Sequence, residues 1–220
     1  MYLVLDQKTS KPVMQYIGFA STKGGVAKTT SAIHFAYWAA LQGRAVVLVD
    51  DDANRTAIKW LARAQENPKF EPPFTVATFA KMARAVAGKD LVVLDTQASI
   101  GDDDLKDLAE DCDLIVIPAK PDIDSAAAAV ETAEKLQGYG GTYRILLTDC
   151  PTGSSKSGAD LAADLVGDGY QVLKQRIRRG EGVRHASLAG ATVAQQPSKY
   201  RGPWWDYQAV FTEIFESLRN

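Results

Sequence analysis

Short apolar runs alternate along the chain with longer amphipathic stretches. Several of the runs are apolar without interruption, such as VVLV at 46–49 and LIVI at 114–117. Continuous runs are typical of parallel strands, because such strands are buried on both faces of their sheet. We therefore expect strands at 16–20, 45–50, 74–79, 91–95, 113–118 and 143–148.

Helical patterns lie between most of these strands. The spacing predicts helices over 29–42, 56–65, 105–111, 125–136 and 158–166. The repeated alternation predicts an α/β fold with a doubly wound, mostly parallel sheet flanked by helices. Right-handed crossovers bring the loops that follow the strands to one edge of such a sheet, where ligands bind. We see no linker or repeat, so residues 1–220 are expected to form one domain with an N-terminal extension over 1–12.

The end of the chain predicts a single amphipathic helix over 204–219. Its apolar positions follow helical spacing and form one stripe, which favours a terminal helix packed on the body. The other face carries Asp206, Glu213 and Glu216. A membrane-surface helix is the alternative, but it would need basic residues on that face, where only Arg219 is available. The stripe consists of Tyr207, Val210, Phe211, Ile214, Phe215 and Leu218.

The composition is that of an ordinary globular protein, with 46% hydrophobic, 24% charged and 9% aromatic residues. These values exclude a disordered chain or a collagen. No apolar run reaches the roughly 18 residues of a transmembrane helix, and the N-terminus lacks the pattern of a signal peptide, so a cytoplasmic location is expected. Cys112 and Cys150 are too few for a disulfide framework or a four-cysteine metal site.

The net charge of −2 conceals a basic segment at residues 171–201, which holds seven Lys or Arg and one acid, Glu181. Its net charge of +6 suggests a surface that faces a polyanion. Alternation over 172–178 predicts an edge strand with three of the basic residues on one face. Salt bridges to the acidic body are the alternative interpretation. The seven residues are Lys174, Arg176, Arg178, Arg179, Arg184, Lys199 and Arg201.

Strand 16–20 leads into S-T-K-G-G-V-A-K-T-T, which we call the phosphate loop (residues 21–30). It departs twice from the generic pattern G-x-x-x-x-G-K-[ST], at Thr22 and Ala27. Two adjacent glycines still let backbone N–H groups turn inward, and the next helix adds its positive N-terminus. The Lys28 side chain can reach phosphates, and the Thr29 hydroxyl can bind Mg²⁺.

Residues 23–30 match K-G-G-x-x-K-T-[ST] in full, and the chain therefore resembles the deviant Walker A ATPases of the ParA/MinD group over nearly its whole length. The resemblance implies a P-loop NTPase fold, and ATP and Mg²⁺ as cofactors. It also implies that Lys23 reaches the nucleotide of a second subunit across a sandwich dimer. The nucleotide-binding residues implied in the loop are Lys23, Gly24, Gly25, Val26, Ala27, Lys28, Thr29 and Thr30.

Two aspartate sites follow predicted strands, as in the family. In Asp50-Asp51-Asp52-Ala53-Asn54 the resemblance implies that Asp50 lies near Mg²⁺ and that Asp52 positions or activates water. Asp95 ends the strand LVVLD and would hold Mg²⁺ through water, as in a Walker B motif. The implied catalytic residues are Lys23, Lys28 and Asp52, and the implied metal site is Thr29, Asp50 and Asp95.

Several residues depart from the family pattern. Ala53 and Asn54 replace its Pro-Gln, and Thr96-Gln97-Ala98 replaces a proline-rich continuation, so a nonhydrolysing switch is an open alternative. Asp149 and Pro151 are candidates for cradling adenine. Lys156 resembles a lysine that approaches phosphates in some small relatives, although a surface lysine at a helix start is the simpler interpretation.

The resemblance implies a ParA-type partition ATPase of the small type, which dimerises with ATP and associates with the nucleoid. The basic segment contains no base-reading motif and would contact DNA without sequence preference. A ParB-like partner would stimulate hydrolysis to segregate a plasmid or chromosome. Alternatives are a positioner of a carboxysome or chemoreceptor array, a MinD-like membrane-bound regulator, and an iron–sulfur reductase, for which the two cysteines are poor ligands.

Overall fold

The computed structural model describes residues 14–153 and 157–218, so the extension over 1–12 and Lys156 lie outside the described residues. Its six strands are all parallel and lie in the order β3-β2-β4-β1-β5-β6. This order confirms the doubly wound parallel sheet. The strands are β1 (Gln15–Phe19), β2 (Val46–Asp50), β3 (Thr75–Thr78), β4 (Leu91–Asp95), β5 (Leu114–Ala119) and β6 (Tyr143–Leu147).

All five predicted internal helices and the terminal helix are present. Two helices were not predicted, α3 with only four residues and α7, which carries Gly182 and other weak helix formers. Short 3₁₀ turns occupy Pro68–Phe70, Phe79–Lys81, Val193–Gln195 and Ser198–Tyr200. The helices are α1 (Lys28–Leu41), α2 (Thr56–Gln65), α3 (Met82–Ala85), α4 (Asp102–Asp111), α5 (Ile123–Gly138), α6 (Ser157–Gly167), α7 (Glu181–Ala189) and α8 (Gly202–Ser217).

The sheet separates two hydrophobic layers, because alternate strand residues point to opposite faces. In β2, Val46 and Leu48 join one layer, which includes side chains of α1, α2, α7 and α8. Val47 and Val49 join the other, which includes side chains of α3, α4, α5 and α6. The uninterrupted apolar runs of the sequence are therefore explained by burial on both faces.

Gly18 in the middle of β1 lets α4 approach the sheet closely. A Cβ at this position would lie 3.1 Å from Leu108 Cδ2 and 3.3 Å from Cys112 Sγ. Cys112 and Cys150 are both buried next to strands, as the sequence suggested. Burial raises the pKa of Cys112 to about 12 and that of Cys150 to about 11, so both thiols stay protonated near neutrality.

The terminal helix packs on the body with its apolar stripe inward. Tyr207, Val210, Phe211 and Ile214 are fully buried, so the stripe is not available to a membrane surface. Among the described residues no helix is long and apolar enough to cross a bilayer. The placement of Asp206 on the solvent face was wrong. Its side chain is only 3% exposed, because it accepts hydrogen bonds from the segment beside β6.

The predicted edge strand over 172–178 was also wrong, since only two isolated bridges form there, Ile145 with Val172 and Cys150 with Arg178. Leu173 N donates to Ile145 O, and Ile177 N donates to Leu147 O. Between these two hydrogen bonds the segment advances four residues, from Leu173 to Ile177, whereas β6 advances two, from Ile145 to Leu147. The extra residues loop out because Glu213 and Asp206 of α8 bind them, which destroys the alternation that a strand would need.

Candidate functional site

The loops at the carboxyl ends of the strands surround a cavity of about 570 Å³, a volume typical of small-ligand sites. Eight of the residues predicted to bind nucleotide, catalyse or hold metal line it, which are Gly24, Gly25, Ala27, Lys28, Thr29, Thr30, Asp52 and Asp149. Lys23, Val26, Pro151, Asp50 and Asp95 are not part of the lining. The last two are completely buried just behind it, at the ends of β2 and β4.

Backbone strain concentrates at this edge of the sheet. Within the described residues, four non-glycine residues have positive φ, namely Ala27, Arg55, Ser99 and Asp149. Each lies in a loop that follows a strand at the cavity edge, after β1, β2, β4 and β6 respectively. Strained backbone persists where the surrounding structure fixes it, and such residues cluster at functional sites.

The phosphate loop leads directly into α1, which begins at Lys28. Gly25 has φ of 76° and Ala27 has φ of 71°, so both residues adopt the left-handed conformation that favours glycine. These two residues give the phosphate loop its curl. The first turn of α1 contains no acidic residue, which leaves its positive end open to an anion. Burial lowers the pKa of Lys28, while the nearby carboxylates of Asp95 and Asp52 partly offset that effect.

Lys23 lies beside the cavity and not within it. Its ammonium is 3.4 Å from Asp122 Oδ1 and 3.6 Å from Asp124 Oδ2, at the start of α5. Ile123 between these two aspartates is 88% exposed. The Val26 carbonyl meanwhile accepts a hydrogen bond from the Thr148 hydroxyl, which fixes the loop to the end of β6. Lys23 is therefore placed at the rim, on the surface of the subunit.

Asp50 and Asp95 are register partners on neighbouring strands, and both are fully buried. Asp50 accepts hydrogen bonds from the backbone N–H groups of Asp52 and Ile58, so it holds the loop between them. Within the described residues, neither carboxylate oxygen of Asp95 has a hydrogen-bond partner. Burial raises the pKa of Asp95 to about 7, and Asp50 adds to the rise, while the Thr29 hydroxyl offsets part of it. An unpartnered carboxylate beside a hydroxyl fits a Mg²⁺ site.

Asp52 is held in position by its own loop. One oxygen accepts hydrogen bonds from the backbone N–H and the side-chain amide of Asn54. The other accepts one from the Thr56 hydroxyl at 3.0 Å. Asn54 departs from the family pattern, and in this structure it orients the carboxylate that lines the cavity. Asn54 therefore still fixes the orientation of the Asp52 carboxylate, although it differs from the residue of the family pattern.

The comparisons with known proteins identify the family. Residues 17–193 match the CobQ/CobB/MinD/ParA nucleotide-binding domain family. The chain belongs to this family. The chain is accordingly a nucleotide-binding domain of the ParA/MinD type, and the resemblance seen in the sequence is confirmed.

Relatives with described roles are similar over most of the chain. The maintenance of carboxysome distribution protein A of Gloeobacter kilaueensis is 30% identical over 201 residues, which are 90% of this chain and 93% of that protein. A plasmid partition protein from Borrelia burgdorferi bound to AMPPNP superposes with a TM-score of 0.70 at 15% identity, covering 91% of this chain and 99% of that one. An ATP complex of McdA from Cyanothece gives 0.68 at 15% identity, covering 92% and 96%.

The cavity of this ParA/MinD-type domain contains one cation that sequence reasoning missed. Lys120 lines it at the end of β5, with its Nζ 3.9 Å from Asp149 Oδ2. Arg179 pairs with the same carboxylate, at 2.9 Å from Nε to Oδ1. A basic residue placed directly after an apolar strand was the signal for Lys120, because ligands of α/β sheets bind at that edge.

The basic segment divides into two groups. Arg178 and Arg179 line the cavity and form salt bridges with Asp206 and Asp149, so for these two the salt-bridge interpretation holds. Because the predicted edge strand is absent, Lys174, Arg176 and Arg178 do not share one face of a strand. The remaining five form no ion pair within the described part of the chain, and they are Lys174, Arg176, Arg184, Lys199 and Arg201.

Proposed function

We propose that this chain is a ParA-type partition ATPase, in which ATP closes two subunits face to face and hydrolysis releases them. The observation that carries the proposal is the division of labour between two lysines. Lys28 lines the phosphate-loop cavity, whereas Lys23 lies at its rim on the subunit surface. In this proposal Lys28 binds the subunit's own nucleotide, and Lys23 reaches the nucleotide of the second subunit.

The residues around the cavity suit phosphoryl transfer to water. Lys28 and the backbone N–H groups of the phosphate loop bind the phosphates. Thr29 and Asp95 would hold Mg²⁺, with Asp50 behind them, and the bound ion would supply positive charge at the phosphates. Asp52, which Asn54 and Thr56 orient, positions the attacking water. Lys23 from the second subunit offsets negative charge on the transferred group, as an arginine finger does.

We propose that DNA contacts come mainly from the five cations of the basic segment that form no ion pair with a described residue. Lys174, Arg184 and Lys199 are exposed, and the side chains of Arg176 and Arg201 are partly exposed. Contacts of this kind are made to phosphates, so they carry no sequence information and weaken with salt. Arg178 and Arg179 are engaged at the cavity and contribute less in this account.

The cargo has two candidates. A plasmid or chromosomal locus marked by a ParB-like protein is the first, and the structural similarity to a plasmid partition protein from Borrelia burgdorferi supports it. A protein organelle is the second, and the observation that favours it is the 30% identity to a carboxysome distribution protein. Both candidates use the same nucleotide cycle with a different partner.

Binding to nonspecific duplex DNA, compared with ATP–Mg²⁺, ADP and no nucleotide over a salt series, tests the proposal. We expect binding only with ATP, with a salt slope that falls by about 0.9 for each phosphate contact removed. Lys174→Ala, Arg184→Ala and Lys199→Ala combined should flatten the slope. The matched control combines Lys59→Ala, Lys69→Ala and Lys106→Ala, outside the basic segment. Equal effects of the two triple variants, or no binding in any state, would contradict the DNA proposal.

A further inference from the structure

A second groove lies on the opposite face of the sheet from α1 and has a volume of about 430 Å³. Side chains that follow β3 form one wall, and α4 forms the other. Its apolar lining includes Phe79, Met82, Leu94, Ile100 and Leu108. Phe79 is 54% exposed, although aromatic rings of this size are usually covered. The groove therefore offers an apolar surface that nothing in the described chain covers.

Acidic side chains line the same groove. Asp104, Asp107 and Asp111 lie on one face of α4 with Leu108, at the spacing i, i+3, i+4 and i+7, and Asp51 faces them from the end of β2. None of the four carboxylates forms a salt bridge with any described residue. The groove thus combines an apolar lining with unneutralised negative charge.

The groove also reaches the back of the nucleotide site. Asp51 follows Asp50 and precedes Asp52, and its backbone N–H donates to the carbonyl of Asp95 at 2.9 Å. Thr96 lines both the groove and the nucleotide cavity. A molecule in the groove would contact residues adjacent to both aspartate sites.

We propose that this groove is the docking site for a cationic amphipathic segment of a partner protein, which thereby acts on both aspartate loops of the nucleotide site. Lysine or arginine side chains of the segment pair with the α4 carboxylates, and its apolar side chains cover Phe79 and Leu108. Charge complementarity selects this occupant, because the same carboxylates repel a nucleic acid or an anionic lipid surface. The proposal rests on the proposed function, since it supplies the contact for the partner of that ATPase.

A labelled helical peptide built of lysine and leucine is a direct probe, with a glutamate–leucine peptide as its charge control. Fluorescence anisotropy would measure its binding to the nucleotide-free protein. Asp107→Lys combined with Asp111→Lys should weaken binding at least about tenfold, because like charges then face each other. Asp103→Lys combined with Glu110→Lys makes the same charge change on the same helix outside the groove, and it should change binding less than about twofold. All four positions are exposed, so each double variant is expected to fold.

A second pair of variants tests the apolar contact. Phe79→Ser should weaken peptide binding several-fold, whereas Leu188→Ser, at an apolar side chain elsewhere that is 68% exposed, should leave it unchanged. Equal loss in both charge-reversal variants would mean nonspecific attraction and would overturn the proposal, as would the absence of binding. ATP binding is measured on the same samples. Loss of ATP binding with the expected peptide pattern would remove the proposed function but leave the docking site.

Discussion

Arg178 donates to both carboxylate oxygens of Asp206, with Nε to Oδ2 and Nη2 to Oδ1 each at 2.7 Å. Asp206 is buried in α8, and it also accepts the Arg178 backbone N–H and the Gln175 side-chain amide. This pair fastens α8 to the segment that forms one wall of the cavity at the carboxyl ends of the strands. A two-point pair with a buried carboxylate is stronger than an exposed one, because water competes less with it.

Arg178 and Arg179 allow the contributions of a buried and an exposed salt bridge to stability to be compared. Arg178→Ala leaves the buried Asp206 charge short of its main partner and should reduce the free energy of unfolding by about 2 kcal/mol or more. Arg179→Ala removes a pair in which both side chains are substantially exposed, so the loss of stability should be much smaller. Urea unfolding of both variants without nucleotide makes the comparison. Equal losses would show that α8 is not fastened through Asp206.

The two lysines of the phosphate loop should separate nucleotide binding from dimerisation. Lys28→Ala removes the only one of the two that lines the cavity, so ATP affinity should fall at least about a hundredfold. Lys23→Ala should retain ATP affinity within a few-fold, because its ammonium pairs with Asp122 and Asp124 at the rim. Titration with a fluorescent ATP analogue measures both. Comparable losses would place Lys23 in its own subunit's site.

Ala27 is an unusual residue for its backbone conformation. A left-handed conformation costs a non-glycine residue about 1–2 kcal/mol, and replacing that residue with glycine removes this cost. Glycine also increases the entropy of the unfolded chain, which lowers the stability by about 0.4–1 kcal/mol. Ala27→Gly should therefore raise the free energy of unfolding by up to about 1 kcal/mol and preserve ATP binding. Ala32→Gly, inside α1, is the control and should be destabilising. A less stable Ala27→Gly protein would contradict the assignment of strain.

His34 links α1 to the segment before α8. Its Nδ1 donates to the Thr30 carbonyl, its Nε2 accepts the Val193 N–H at 3.0 Å, and its ring stacks on Tyr207. Only the neutral ring with this tautomer makes both hydrogen bonds. Burial accordingly lowers the pKa of His34 to about 4, against 6.5 for an exposed histidine.

This pKa predicts a loss of stability in acid. The contribution of neutral His34 is complete above pH 6.5 and declines as the pH falls from there towards about 4, by up to about 3 kcal/mol. His34→Gln should be less stable at neutral pH and should lose less stability across this window. Urea unfolding at several pH values compares the two proteins. Parallel pH profiles would mean that His34 does not cause the acid sensitivity.

Local sequence patterns predicted the elements whose formation depends on residues close to each other in the sequence. Uninterrupted apolar runs predicted the parallel strands, and their alternation with helical patterns predicted the doubly wound sheet. Long-range contacts explain the failures. The sequence alone places Asp206 on the solvent-facing side of a helix and residues 172–178 in a strand. In the structure α8 and the segment beside β6 bind each other, and this contact overrides both patterns. Lys120 was missed because a single lysine after a strand has no distinctive spacing.

The proposed sandwich dimer makes one strong prediction, that Lys23 and Asp52 of one active site come from different subunits. Lys23→Ala and Asp52→Ala proteins should each hydrolyse ATP far more slowly than the wild type. Their mixed dimer contains one complete site, with Lys23 from one subunit and Asp52 from the other. An equimolar mixture should therefore recover up to about a quarter of the wild-type rate, since about half of the dimers are mixed and each has one active site of two. A mixture as inactive as either variant alone would contradict the account.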